Sequence, residues 1–250
     1  MRMKIIFGLC TTVLILGPVL FLLTSGSAKT HAAESKGSIT GTIVFEGRAP
    51  KMPAIQMAAN PECETVHTEP VLRQMLVLDD DQHMANVLVS VVSGLPEGVD
   101  YPVPTEPFVM SQEGCIYKPR VFGLRAGQEL KFTNPDKFLH NVHALPKVNN
   151  EFNRSMNSQR TEITTTFKKP EPVFDIKCDV HAWMQSYCTV FDHPYFAVTA
   201  SDGTFTIEGL PAGEYEIEAW HERLGTQRAT VTVEVSGESV ADFIFKRPGT

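Results

Sequence analysis

The sequence predicts an all-β protein. Beyond residue 33 the apolar residues fall in short runs rich in Val, Ile, Thr and Phe, clusters of Gly, Pro, Asn, Asp and Ser separate the runs, and no apolar stripe of helical period has useful length. Many short strands with frequent turns define a sandwich or a barrel and exclude a parallel α/β sheet.

The elements follow in chain order. Ser38 to Phe45, Gln74 to Leu78, Asn86 to Val92, the segment around Phe122, Glu129 to Thr133, Glu162 to Phe167 and Val173 to Lys177 are β-rich runs bounded by turn residues. His140 to Leu145 and Ser186 to Phe191 read as strands, and Asn149 to Gln159 reads as a polar loop, carrying Met156, that covers the mouth of a site. Tyr195 to Thr199, Thr204 to Glu208, Glu214 to His221, Arg228 to Val235 and Val240 to Phe245 complete the pattern. Phe205, Ile207 and Leu210 supply a buried face among polar neighbours. Ser201-Asp202-Gly203 is a hairpin turn and Leu210 to Gly213 a second connection, with Gly203 and Gly213 expected at positive φ.

Composition limits the function. A chain of 250 residues, 42% hydrophobic and 20% charged, is neither disordered nor a multi-span membrane protein, and it is longer than one core needs. Two domains, or one carrying a large insertion, are expected. A net charge of -7 without a basic patch excludes a nucleic-acid partner.

Residues 1–33 read as an export signal. Arg2 and Lys4 precede the uncharged apolar run Ile5 to Leu23, and Gly26-Ser27-Ala28 and Thr30-His31-Ala32 offer small residues for cleavage. The run exceeds the usual core of about 7–15 residues, so an uncleaved anchor is the alternative and the sole membrane contact expected. The protein is placed in the periplasm or outside the cell. Cys10 lies inside the signal, which leaves Cys63, Cys115, Cys178 and Cys188 in an oxidising compartment. Four cysteines allow three sets of pairs, and the sequence does not choose among them.

Two motifs carry chemistry: Leu139-His140-Asn141-Val142-His143 and Cys178-Asp179-Val180-His181-Ala182-Trp183-Met184. A soft thiolate and two imidazoles brought together from two loops form a trigonal His2Cys site, and a thioether above them completes a blue-copper ligand set. Cys and His also suit zinc. In a strand from His140 to Leu145, an offset of three sends His143 to the face opposite His140. No Ser-His-Asp order, G-x-S-x-G or H-E-x-x-H is present, so nothing supports a hydrolase.

Longer segments carry family resemblances. Gly37 to Gly47, Ala85 to Val91 and Thr199 to Tyr215 together resemble the carboxypeptidase regulatory-like, transthyretin-type sandwich, which says little about activity. Residues 101–192 resemble a plastocyanin-like cupredoxin, and the whole is similar to bacterial exported proteins that combine the two. The resemblance implies a discontinuous regulatory-like sandwich (37–100 plus 193–247) with a cupredoxin copper domain inserted at 101–192. It implies His140, Cys178 and His181 as equatorial copper ligands and Met184 as the axial one. Met184 lies three residues after His181, whereas plastocyanin-like members place the methionine five after, so a carbonyl or an open axial position competes. Asn141 and His143 are implied as supporting residues, Asn141 tying the ligand loops together. With Cys178 on the metal, Cys63 and Cys115 form the disulfide and Cys188 stays single; a Cys178–Cys188 bridge is the competing arrangement. The function implied is a one-electron carrier that transforms no substrate, with Trp183 a candidate docking surface for a transient redox protein partner. The alternative is an extracellular carbohydrate- or protein-binding sandwich whose Cys/His cluster is structural, zinc-binding or copper-storing.

Overall fold

Alternation of apolar and polar residues sets many of the strands, those at Gly37–Glu46, Thr204–Leu210, Gly213–His221 and Gly225–Val233 most clearly, in the computed structural model, which describes residues 36–247. The export signal read at residues 1–33 lies outside these. In chain order come β1 (Gly37–Glu46), the short helix α1 (Pro61–Glu64), β2 (Val77–Leu78), β3 (Met84–Ala85) and β4 (Leu88–Ser93). The middle holds β5 (Phe108–Gln112), β6 (Tyr117–Lys118), β7 (Val121–Arg125), β8 (Glu129–Thr133), β9 (His140–Ala144), β10 (Phe152–Met156), β11 (Glu162–Thr166), β12 (Glu171–Lys177) and β13 (Gln185–Phe191). The last stretch holds β14 (Phe196–Val198), β15 (Thr204–Leu210), β16 (Gly213–His221), β17 (Gly225–Val233), β18 (Glu238–Val240) and β19 (Phe243–Lys246).

These strands build two β-sandwiches. In the first, a sheet ordered β15-β1-β18, with β19 also on β1, faces a sheet ordered β14-β4-β16-β17. Ile39, Ile43 and Phe45 from β1, Val89 and Val91 from β4, Ile207 from β15, Ile217 from β16 and Phe245 from β19 fill the space between them. In the second, the order β10-β9-β12-β13-β7 faces β11-β8-β5-β6 around Met110, Leu124, Phe132, Val142, Met156 and Ile176. The first sandwich therefore pairs strands from both ends of the described chain, β1 with β15 and β4 with β16, and the second lies between them in sequence.

Arg125 holds the two crossings between the sandwiches. Its guanidinium donates to the carbonyl of Asp192 at 2.9 Å, where the chain leaves the second sandwich, and to that of Tyr101 at 3.1 Å, where it enters. Nearby, a Cβ on Gly123 would come within 2.5 Å of the Phe196 ring, so only glycine lets β7 approach β14 this closely. A second tie is ionic. The Arg120 guanidinium pairs with Glu222 through both nitrogen–oxygen contacts, one at 2.7 Å, and the Tyr187 hydroxyl donates to the same carboxylate at 3.1 Å. The Glu222 side chain is only 3% exposed, so removing its partner strands a charge without water. Arg120→Ala is expected to cost about 3–5 kcal/mol in denaturant unfolding, and Arg120→Met with Glu222→Met to recover most of it. A loss below about 1 kcal/mol would show the pair to be solvated.

The structure corrects several expectations. Residues 149–159 are not a loop over a site, because β10 pairs with β9 through this stretch and Met156 is buried opposite His140. The residues there are too polar to reveal a strand from sequence. Gln74 to Leu78 shrinks to the two residues of β2, which have only the two residues of β3 to pair with. Gly203 has a positive φ of 71° but Gly213 does not; the left-handed residue here is Gly209, at 77°. Gly209 is the extra residue of a β-bulge, since Glu208 pairs with Ser38 and Leu210 with Gly37.

Candidate metal centre

Strand alternation places the first donor. His140 opens β9 with Val142 and Ala144 on its face, all three fully buried, while His143 points the other way. The turn before it supplies Asp136, whose carboxylate accepts the backbone N–H groups of Gly114 and Cys115, each at 2.7 Å, and lies 3.1 Å from His140 Nε2. An ionised carboxylate accepts only, so Nε2 carries the hydrogen and Nδ1 is left with its lone pair. Asp136 was not singled out in the sequence. An acid four residues before a histidine looks like any surface turn, and its partners lie about twenty residues away.

Cys178 and His181 come from the loop between β12 and β13. Cys178 N donates to the Met184 carbonyl at 3.1 Å and Met184 N to the His181 carbonyl at 2.9 Å, which folds the loop into a tight closed turn. That turn presents Cys178 Sγ 3.8 Å from His181 Nδ1, and His181 Nδ1 3.0 Å from His140 Nδ1. One donor atom from each of the three residues lies within 4.8 Å of the others, and all three are buried. The Met184 side chain is buried as well, within the second core.

Asn141 ties β9 to the Cys178–Met184 turn. Its Oδ1 accepts the Asp179 N–H at 2.7 Å and the Cys178 thiol at 3.2 Å, and its own carbonyl accepts the buried Tyr117 hydroxyl. On the outer face, His143 lies with Nδ1 at 2.9 Å from Asp179 and Nε2 at 3.1 Å from Glu151. Trp183 is half-buried, its ring 5.2 Å from that of His181 and its Nε1 donating to the Cys115 carbonyl at 3.0 Å. Cys63 and Cys115 are joined in a disulfide with Cα atoms 5.6 Å apart, and Cys178 and Cys188 are free thiols.

The electrostatics follow from these contacts. Burial would raise the Cys178 thiol, but hydrogen bonding with His140 and His181 outweighs it and brings its pKa down to about 6. Burial disfavours charge on His140, yet the Asp136 carboxylate and Cys178 raise its pKa above the ordinary 6.5. Cys188, fully buried, is pushed up by desolvation and stays a neutral thiol. Glu151 and Asp179 raise the His143 pKa by hydrogen bonding. The sign is that of a gained partner: the His143 contribution to stability is complete below pH 6.5 and disappears as pH rises through the folded-state value. Since Glu151 and Asp179 are exposed, it amounts to less than about 1 kcal/mol. An NMR titration of His143 is expected to give a midpoint above 6.5 that falls in Asp179→Asn; an unchanged midpoint would remove Asp179 from the account.

A buried thiolate and two imidazoles, preset by hydrogen bonds inside a two-sheet sandwich, make a donor set for a borderline or soft ion such as copper or zinc, not for calcium or magnesium. No described protein family matches the sequence, and no curated protein does either. Among solved structures, a copper-containing nitrite reductase from Thermus scotoductus is similar at 19% identity over 40% of this chain, with a TM-score of 0.32. The match spans a quarter of that reductase, 25% of its length. An amicyanin variant in its Cu(I) form matches at 17% identity over 41% of this chain and 98% of its own, with a TM-score of 0.30. A purple cupredoxin from Nitrosopumilus maritimus matches at 20% identity over 33% of this chain and 98% of its own, with a TM-score of 0.28.

Proposed function

We propose that this protein is an exported one-electron carrier in which His140 Nδ1, His181 Nδ1 and Cys178 Sγ would hold a single copper ion, with the Met184 thioether as a further candidate ligand. The observation that carries this reading is the convergence of those three buried donors from β9 and from the loop between β12 and β13. Copper in such a set changes oxidation state between Cu(I) and Cu(II), which is the chemistry the ion would supply. The chain's own contribution is rigidity. Asp136 fixes the His140 tautomer, Asn141 locks β9 to the ligand turn, and the closed turn sets the separation of Cys178 and His181, so little rearrangement accompanies a change of charge.

Trp183 is the aromatic that reaches from the His181 ring toward solvent, and it is the surface proposed for a transient redox protein partner. The Cys63–Cys115 disulfide suits an oxidising compartment and supports export. No helix among the described residues is long and apolar enough to cross a membrane. The domain reading is kept as part of the proposal: residues 37–100 plus 193–247 as a regulatory-like sandwich and 101–192 as the copper domain.

The test is copper loading of the purified protein followed by visible spectroscopy and metal analysis. One copper per chain and an intense thiolate-to-copper band are expected. A colourless protein carrying stoichiometric zinc would replace the carrier with a structural zinc site.

A further inference from the structure

The His181 ring meets sulfur on both of its edges. Nδ1 faces Cys178, as described, while Nε2 lies 3.4 Å from Cys63 Sγ, one half of the disulfide. Cys63 and Cys115 are fully buried, the first in α1 and the second in the turn between β5 and β6. Cys115 is held from two sides, its N–H on Asp136 and its carbonyl receiving the Trp183 indole. One donor atom from each of Cys63, Cys115 and His181 falls within 4.8 Å of the others, which makes a second donor set against the first. A metal with bonds of about 2.3 Å to sulfur and about 2.0–2.1 Å to nitrogen separates the two ligand atoms by about 3.5–3.8 Å at tetrahedral to trigonal angles, close to the spacing seen.

We propose that reduction of the Cys63–Cys115 disulfide opens a second metal site, for Cu(I), formed by the two cysteine thiolates and His181 Nε2. The second site goes beyond the electron-carrier reading, and only its competition with the Nδ1 edge of His181 rests on that reading. A small dithiol supplies the reduction. Its two thiols are oxidised to a cyclic disulfide, the Cys63–Cys115 bond breaks, and the two protons pass to the cysteine sulfurs. Cu(I) then displaces those protons, and soft thiolates favour this ion over harder ones.

Sharing one ring makes the two sites alternatives. A neutral imidazole has a single lone pair, so a metal on the Nδ1 edge leaves the hydrogen on Nε2, and a metal on Nε2 leaves it on Nδ1. With the disulfide closed, its sulfurs are uncharged and poor ligands, and the Nδ1 edge is the one that takes a metal. With the disulfide open, two anionic sulfurs compete from the Nε2 edge. Thiol redox state thus decides which side of His181 holds the ion.

The test uses the full chain carrying Cys178→Ser, in which the first donor set is broken, so the outcome does not depend on the carrier reading; that reading is tested by the visible band of the unsubstituted protein. The Cys178→Ser chain is reduced with dithiothreitol under argon, freed of reductant, and titrated with Cu(I) against bicinchoninate. One more Cu(I) per chain is expected than in the unreduced chain, and the extra equivalent disappears when Cys63→Ser is added. Iodoacetamide labelling read by peptide mass is expected to show Cys63 and Cys115 of the reduced chain protected by Cu(I). Equal Cu(I) uptake with and without reduction, or equal labelling of both cysteines with and without Cu(I), overturns the proposal.

Discussion

Cys178→Ser is expected to abolish the thiolate-to-copper band of the copper-loaded protein completely and to strip the ion under mild chelation. The thiol is the one anionic donor of the set and is already drawn down to about 6 by its histidine neighbours, whereas a serine hydroxyl stays protonated at neutral pH and is a hard, weak ligand. Volume hardly changes, so the loss would report ligation and not unfolding. Cys188→Ser serves as the internal comparison. Its thiol is fully buried in the second core and neutral, and its hydrogen bond goes to the neighbouring Thr189 carbonyl at 3.8 Å and not to the donor cluster, so the band is expected to survive. An unchanged metal load in Cys178→Ser would sink the copper reading.

The second large effect concerns architecture. Residues 195–247 expressed alone are expected to be unfolded, because the two strands they lack, β1 and β4, sit inside their sheets. Without β1, the strands β15, β18 and β19 lose the partner each of them pairs with. Without β4, β14 is detached from β16 and β17. What remains is a hairpin with Tyr215, Ile217, Val231 and Val233 facing water, and isolated hairpins are marginal. A chain ending at Phe191 is expected to lose the first sandwich for the same reason, since Phe205, Ile207, Phe243 and Phe245 would be missing from its core. Circular dichroism with thermal unfolding reads both cases. Cooperative unfolding of the 195–247 fragment would make it an independent domain, and the discontinuous arrangement would be given up.

Much of the site is local and therefore legible in the amino-acid string. The spacing Cys178-x-x-His181 lies within a single turn, and the period of a strand puts His140 and His143 on opposite faces; in the structure His140 is fully buried and His143 lies outside between two carboxylates. The all-β class is equally a matter of local pattern, because β-rich runs of five to ten residues punctuated by Gly and Pro cannot form amphipathic helices. The polar strand β10 escaped for the opposite reason: its residues show no alternation, and only pairing with β9 makes them a strand.

The sequence by itself determined the all-β class, most of the longer strands and the residue types able to hold a soft metal. Only the tertiary structure decided which groups surround the donors. Asp136 reaches His140 because it also caps the Gly114–Cys115 turn, and the disulfide reaches His181 because α1, far earlier in the chain, is tied to that same turn. Arg125 could be recognised as the holder of both crossings only once Tyr101 and Asp192 were brought together. The reason is common to all three: hydrogen bonds and contacts between groups twenty to more than a hundred residues apart depend on sheet packing, and packing leaves no periodic trace in the order of the residues.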